Sequence, residues 1–229
     1  MVRILFFLVF LSSFFFVNAQ KEIDSTFVDS NFLEDQFYIG VTYNFLVNKD
    51  SDISQRNLSY GLQGGFIKDI PLNKSRKLAL GVGFGYALNN YYSNLRAIET
   101  DSGIEYSILS NTGDYKRNKI ESHVIEMPLE FRWRNATGTD YKFWRIYAGL
   151  KLGYVLSTRS KYIGNINRSS FYNKDTSNFQ YGLSFSFGYN TFNIHMHYSL
   201  SNLFNDSTVL NGDSITMKPL RVGLIFYIL

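Results

Sequence analysis

The sequence predicts an all-β protein, an eight-stranded antiparallel up-and-down transmembrane β-barrel. Three observations carry that expectation. Hydrophobic residues make up 45% of the chain and aromatics 17%, with 21 Phe and 17 Tyr against 3 Pro, a composition suited to strands. Segments of ten to fifteen residues alternate at period two, separated by Gly, Asn, Asp and Ser. One face of each segment is bulky and apolar, while the other is mostly Gly, Ala and Ser, with few of the Lys, Glu and Thr of a water-facing sheet.

The first twenty residues, MVRILFFLVFLSSFFFVNAQ, read as a secretory leader. An apolar run from Ile4 to Val17 is followed by Val17 and Ala19 at the positions signal peptidase prefers, so residues 1–19 are expected to be removed. Residues 20–34 are polar and aperiodic and read as a periplasmic tether, leaving 35–229 for the barrel. No later stretch approaches the length of a spanning helix, so any membrane crossing must use strands.

In the first strand Phe37, Ile39, Val41, Tyr43, Phe45 and Val47 oppose Tyr38, Gly40, Thr42 and Asn44. The second sets Leu58, Tyr60, Leu62 and Phe66 against Gly61, Gln63 and Gly65; the third sets Leu78 to Leu88 against Ala79, Gly81, Gly83, Gly85 and Ala87. In the fourth, Ile125, Met127, Leu129, Phe131 and Trp133 oppose Glu126, Pro128, Glu130, Arg132 and Arg134, and Pro128 predicts a bulge. The fifth runs from Trp144 to Leu156 against Arg145, Tyr147, Gly149, Lys151 and Gly153. The sixth covers Phe179 to Tyr189, and the seventh sets Phe192 to Leu200 against Asn193, His195, His197 and Ser199. The eighth, from Leu220, is apolar on both faces near its end.

Bulky faces toward lipid and small faces toward a crowded lumen satisfy both the volume of a small barrel and the need to pair every backbone group in hydrocarbon. The expected connections are 48–56, 69–76, 89–119, 135–142, 158–178, 190–191 and 202–216. The odd-numbered ones are longer, which predicts external loops on that side and both termini in the periplasm. Phe37, Phe66, Trp133, Trp144, Phe187, Tyr189, Phe192 and Phe226 collect at the periplasmic ends, Tyr43, Tyr60, Tyr86, Tyr154 and Tyr181 toward the other.

HVIEMPLEFRWR, a short turn and FWRIYAGLKLGYVLS resemble the central hairpin of the PorT-like outer-membrane β-barrel family of Bacteroidota, through Glu126-Met127-Pro128-Leu129, the basic residues after it, Gly149 and Gly153-Tyr154. His197-Tyr198-Ser199-Leu200-Ser201-Asn202-Leu203 resembles that family's late strand running into its last loop. The resemblance spans most of 35–229 and implies an outer-membrane barrel handled by the barrel assembly machinery. Some relatives take part in type IX protein secretion, so it also offers envelope or secretion proteins as partners. The chain departs from such barrels at its last residue, Leu229, where an aromatic is common.

The strongest polar constellation is Glu126, Glu130, Arg132, Arg145 and Lys151 on adjacent lumen faces. With the turn centred near residue 138, Glu126 falls opposite Lys151 and Glu130 diagonal to Arg145, a salt-bridged plug or, as the sharper reading, an ion or proton path. His195 and His197 share the lumen face; with no third ligand near, hydrogen bonding is expected there and no metal or other cofactor. His197 and Ser199 are similar to the His-x-Ser of lipid A deacylases, but they are expected inside, without a carboxylate to complete a triad. Glu121 and His123 sit near the external rim. Lys116, Arg117, Lys119, Arg159, Lys161, Arg168 and Lys174 are read as external basic loops able to meet lipopolysaccharide phosphates.

The absence of Cys excludes disulfides and thiol chemistry, and a formal charge of +4 spread among acids gives no footing for nucleic acid. The expectation is a non-catalytic outer-membrane barrel, a structural or interaction component working through its loops, with 89–119 as the main external contact region. A small-solute transporter, a lipid A or phospholipid-modifying barrel enzyme and a soluble periplasmic barrel are the alternatives.

Overall fold

The period-two pattern is realised as strands throughout the computed structural model, which describes residues 36–110, 113, 115–135 and 143–228. The expected leader, the tether and Leu229 lie outside the described residues. Thirteen strands follow in order: β1 (Gln36–Val47), β2 (Tyr60–Pro71), β3 (Leu78–Tyr92), β4 (Leu95–Thr100), β5 (Gly103–Ile108), β6 (Tyr115–Arg134), β7 (Trp144–Gly164), β8 (Arg168–Tyr172), β9 (Phe179–Tyr189), β10 (Phe192–Ser199), β11 (Val209–Leu210), β12 (Asp213–Ser214) and β13 (Lys218–Ile228). Eight of them, β1, β2, β3, β6, β7, β9, β10 and β13, pair antiparallel in that order, and β13 returns to β1. The sheet therefore closes into an eight-stranded barrel without a free edge in its wall, the one way strands pair every backbone group in hydrocarbon.

Each predicted strand is present, and the side chains divide as the alternation requires. Phe37, Ile39 and Val41 are exposed on the outer wall, whereas Tyr38, Thr42 and Asn44 are buried in the lumen. On β7 the bulky residues from Trp144 to Leu156 cover roughly 40 Å along the strand at ~3.3 Å per residue, about 30 Å of height at a ~40° tilt, a bilayer's apolar thickness. The two-sided apolar end of β13 is resolved by register: Leu224, Phe226 and Ile228 pair beside outward residues of β1, and Ile225 and Tyr227 are buried inside. At the end holding the short turns, ring contacts Phe37–Phe66 (5.2 Å), Trp144–Phe187 (5.2 Å) and Phe192–Phe226 (5.5 Å) form parts of an aromatic girdle. There Asn190, at φ 54°, makes a two-residue turn, a conformation Asn tolerates.

Three expectations need correction. The strands outrun the connections assigned to 89–119 and 158–178: β3 continues to Tyr92, β6 begins at Tyr115, and β7 reaches Gly164 before folding back as β8. Beyond the bilayer the outer face no longer needs apolar residues, so the contrast that marks a strand disappears while the pairing persists. The second correction concerns Pro128. No register shift occurs there; the β3–β6 ladder instead skips from Val82↔Leu129 to Gly85↔Glu126 in one register, because proline supplies no N–H. The bulge lies higher, between His123↔Ser157 and Val124↔Val155, and sets Leu156 out of step on β7. Third, the turn between β6 and β7 centres later than expected, so Glu126 faces Gly153 and Arg134 faces Arg145.

At the long-loop end, β4–β5 and the segment with β11–β12 fold over the barrel. Ile53, Leu95, Leu203, Phe204, Leu210, Ile215 and Met217 are each at most 5% exposed and pack with Leu46, Tyr91 and Ile120 as a second core. The β11–β12 hairpin turns on Asn211-Gly212, with φ 55° and 98°, a dipeptide suited to a two-residue turn.

Candidate functional site

The lumen side chains form two stacked polar layers. Nearer the short turns, Asp69 on β2 accepts hydrogen bonds from Arg132 and Arg134 on β6, and Arg132 also bonds Gln36 Oε1. Asp69, Arg132 and Arg134 are at most 2% exposed. Glu130 Oε2 lies 3.7 Å from Arg132 Nε, and the guanidinium stacks 3.9 Å from the Tyr147 ring centroid. Buried charges persist only when paired and hydrogen-bonded, and this layer supplies an acid, an amide and a ring face to one arginine.

The second layer centres on Glu126 (β6), held between Arg221 Nη1 (β13) at 2.8 Å and Lys151 Nζ (β7) at 3.1 Å. Lys151 also donates to Gln63 Oε1 at 2.8 Å, and Arg221 Nε donates to His197 Nδ1 at 3.3 Å. Opposite walls are thereby joined through charge. The space left among Val124, Glu126, Lys151, Gly153, Gln180, His197 and Arg221 is about 10 Å³, room for one water.

Of the five expected cluster residues, Glu126 and Lys151 meet, diagonally rather than directly opposite. Glu130 and Arg132 join the lower layer. Arg145 is not Glu130's diagonal neighbour: it donates to the Asn190 carbonyl and lies 4.3 Å over Phe143, because the later turn shifts β7 by two residues. His195 bonds Ser186 Oγ at 2.8 Å and is a different contact from His197. Ser199 Oγ donates to the Ser201 carbonyl at 2.9 Å. Sequence reasoning missed Asp69, Arg134 and Arg221 as cluster members. Asp69 falls in the expected connection 69–76, yet it continues the inward positions Gln63, Gly65 and Ile67 of β2, and that is its signal in the sequence.

The basic residues expected in loops mostly stand on strands. Lys116, Arg117 and Lys119 belong to β6, Arg159 and Lys161 to β7, and Arg168 to β8; Lys174 alone lies in a connection. On β6 the outward series Trp133, Phe131, Leu129, Met127 and Ile125 gives way to His123, Glu121 and Lys119, marking the top of the apolar belt. Above it Glu121 accepts from Lys119 Nζ at 2.6 Å and Lys161 Nζ at 2.7 Å. Burial opposes the Glu121 charge, but these two ammonium groups outweigh it and hold the carboxyl down at about 2. His123 Nδ1 meets the Tyr86 hydroxyl, and its Nε2 lies 3.8 Å from Glu121.

The sequence profile of the family described as "Outer membrane protein beta-barrel domain" matches residues 18–205, most of the chain. The chain belongs to that family. As an outer membrane protein β-barrel domain it has the outer membrane as its location, and its exposed apolar belt faces lipid. Comparison with curated proteins gave no match. Among solved structures it is similar to Ail, the attachment invasion locus protein of Yersinia pestis, with a TM-score of 0.35 and 13% identity, covering 85% of this chain and 97% of that one.

Proposed function

We propose that this outer-membrane barrel is a non-catalytic interaction component whose long-loop end engages another envelope protein. The observation that carries the reading is the second core: Leu95 and Phe204 are buried in it with Tyr106 and Ile108 packed against it, so the β4–β5 hairpin is a rigid projection rather than a slack loop. Rigid projections lose little conformational entropy on binding. The hairpin tip, residues 98–105, carries Glu99, Asp101 and Glu105, and Ile166 stands 94% exposed at the β7–β8 turn. An apolar anchor beside charged strands suits a protein partner.

In this reading residues 1–19 are cleaved, both termini lie in the periplasm, the barrel assembly machinery inserts the chain, and lipopolysaccharide surrounds its outer half. The resemblance to the PorT-like family of Bacteroidota supports an association with protein secretion. The test is crosslinking and pull-down from native outer membranes, with the full chain and a variant in which residues 98–105 are replaced by a two-residue turn. The cut spares Leu95, Ala97, Tyr106 and Ile108. A partner that copurifies with the full chain and is lost from the folded variant supports the reading; an identical set from both overturns the hairpin's role.

A further inference from the structure

β7 changes partners partway up the wall. It pairs with β9 as far as Tyr154↔Phe179 and with β8 from Arg159↔Tyr172, and the chain between, residues 173–178, bows away from it. Two backbone hydrogen bonds frame the gap, Val155 N–H to Asn178 O at 2.8 Å and Asn173 N–H to Thr158 O at 2.9 Å. On the other edge of β7 the bulge at Leu156 falls at the same height. The result is a notch of about 420 Å³ in the outer wall, lined by Leu156, Ser157, Thr158, Tyr172, Lys174 and Asn178 among others.

We infer that this notch binds the phosphate-bearing headgroup of an anionic lipid from the leaflet at the long-loop end. The floor of the notch is spoken for: Thr176 Oγ1 donates to Thr158 Oγ1 at 2.9 Å, and Asn173 Nδ2 to Ser160 Oγ at 2.9 Å. Its mouth is not. Among the described residues the Lys174 ammonium, the Ser157 hydroxyl and the Asn178 side-chain amide have no hydrogen-bond partner, and Lys174 and Asn178 are exposed. All three groups can donate, and donors without acceptors around one recess suit an anion. The neighbouring acid, Asp175, does not line the notch. Arg159 extends the positive charge, its Nη2 bonding the Tyr172 hydroxyl at 2.9 Å.

A lipid rather than a soluble anion is favoured by what lies below. Tyr154, Leu156 and Phe179, all more than half exposed, run from the notch down the outer wall into the apolar belt. A phosphate held at Lys174 would place its acyl chains on that strip. The site thus sits where apolar wall gives way to charge, as a headgroup requires.

The test uses the full chain purified in non-ionic detergent, with retained lipid read by native mass spectrometry after adding lipid A, phosphatidylglycerol, phosphatidylcholine or inorganic phosphate. Lipid A or phosphatidylglycerol should be retained, the other two not, and whichever anionic lipid is held more tightly names the source. Lys174→Gln should weaken retention at least fivefold and Leu156→Ala by a smaller factor, whereas Lys74→Gln, in the short turn between β2 and β3 at the other end of the barrel, should leave it unchanged. All three lie on the exposed surface, and the heat-dependent gel shift checks that each barrel is folded. Equal retention by Lys174→Gln and the unaltered chain would overturn the site. Inorganic phosphate bound as tightly as the lipids, with no effect of Leu156→Ala, would overturn the lipid assignment.

Discussion

Arg132 is gripped from two sides, its guanidinium stacked 3.9 Å from the centre of the Tyr147 ring on β7 while it bonds Asp69 over the intervening strand β3. Asp69 serves Arg134 as well. Asp69→Ala therefore leaves two buried cations short of their carboxylate, and breaking such a pair costs about 3–5 kcal/mol. A fall in the temperature at which the compact gel band disappears is expected, larger than for Asp69→Asn, which keeps an acceptor. Unchanged midpoints would show that Asp69 is not the keystone of the lower layer.

Tyr38 lies along the inner wall over Gly65, its ladder partner on β2, and Gly85 on β3, and a Cβ at residue 85 would fall on its hydroxyl and lie 2.9 Å from Gly64 O. Gly85→Ala should cost roughly 1–3 kcal/mol, the usual range for an overpacked interior. Tyr38→Phe removes the first of those contacts, so the double variant should recover part of the loss in urea unfolding. Strict additivity of the two changes would count against the contact.

Glu121 gives the rim a pH dependence. Its carboxyl is held at about 2 in the folded protein against an ordinary value of 4.5, by Lys119 and Lys161 against the cost of burial. A depressed carboxylate contributes stability that is complete above the unfolded value and is lost as pH falls from about 4.5 toward 2. The difference in thermal midpoint between the native chain and Glu121→Gln should be present at pH 7, shrink below pH 4.5 and vanish near pH 2. A difference that does not change across that range excludes the proposed pairing.

Among the described residues, ion pairs fill the lumen at two levels. Glu126 is tied to Lys151 and Arg221, the remaining gap there is about 10 Å³, and the second core covers the long-loop end. Purified barrel in a planar bilayer should show no stable conductance steps. Reproducible open-channel events would require the charge layers to rearrange and would revive solute transport as the function.

Strand identity and facing were legible because a bilayer outside and a crowded lumen inside impose opposite demands on alternate residues, as Phe37 beside Tyr38 illustrates. That contrast ends where the bilayer ends. Tyr115 to Lys119 and Arg159 to Gly164 are strand without an apolar stripe, and so read as loop. Pairing across the lumen was less legible still. Glu126 meets Arg221 over a separation of 95 positions, and no local spacing encodes which inward groups meet across a cylinder. A two-residue error in one turn was enough to misplace Arg145. The Asn211-Gly212 hairpin, by contrast, had a readable dipeptide that the length of its loop obscured.

Because β1 hydrogen-bonds to β13, the first and last described wall strands meet side by side, from Phe37↔Ile228 to Val47↔Lys218. The seam cannot be sewn until the final eleven-residue strand is available, so an unfinished polypeptide would expose two unpaired strand margins to hydrocarbon. Barrel closure must therefore wait for β13, and truncations that remove it should stall as water-side intermediates rather than yield a smaller cylinder.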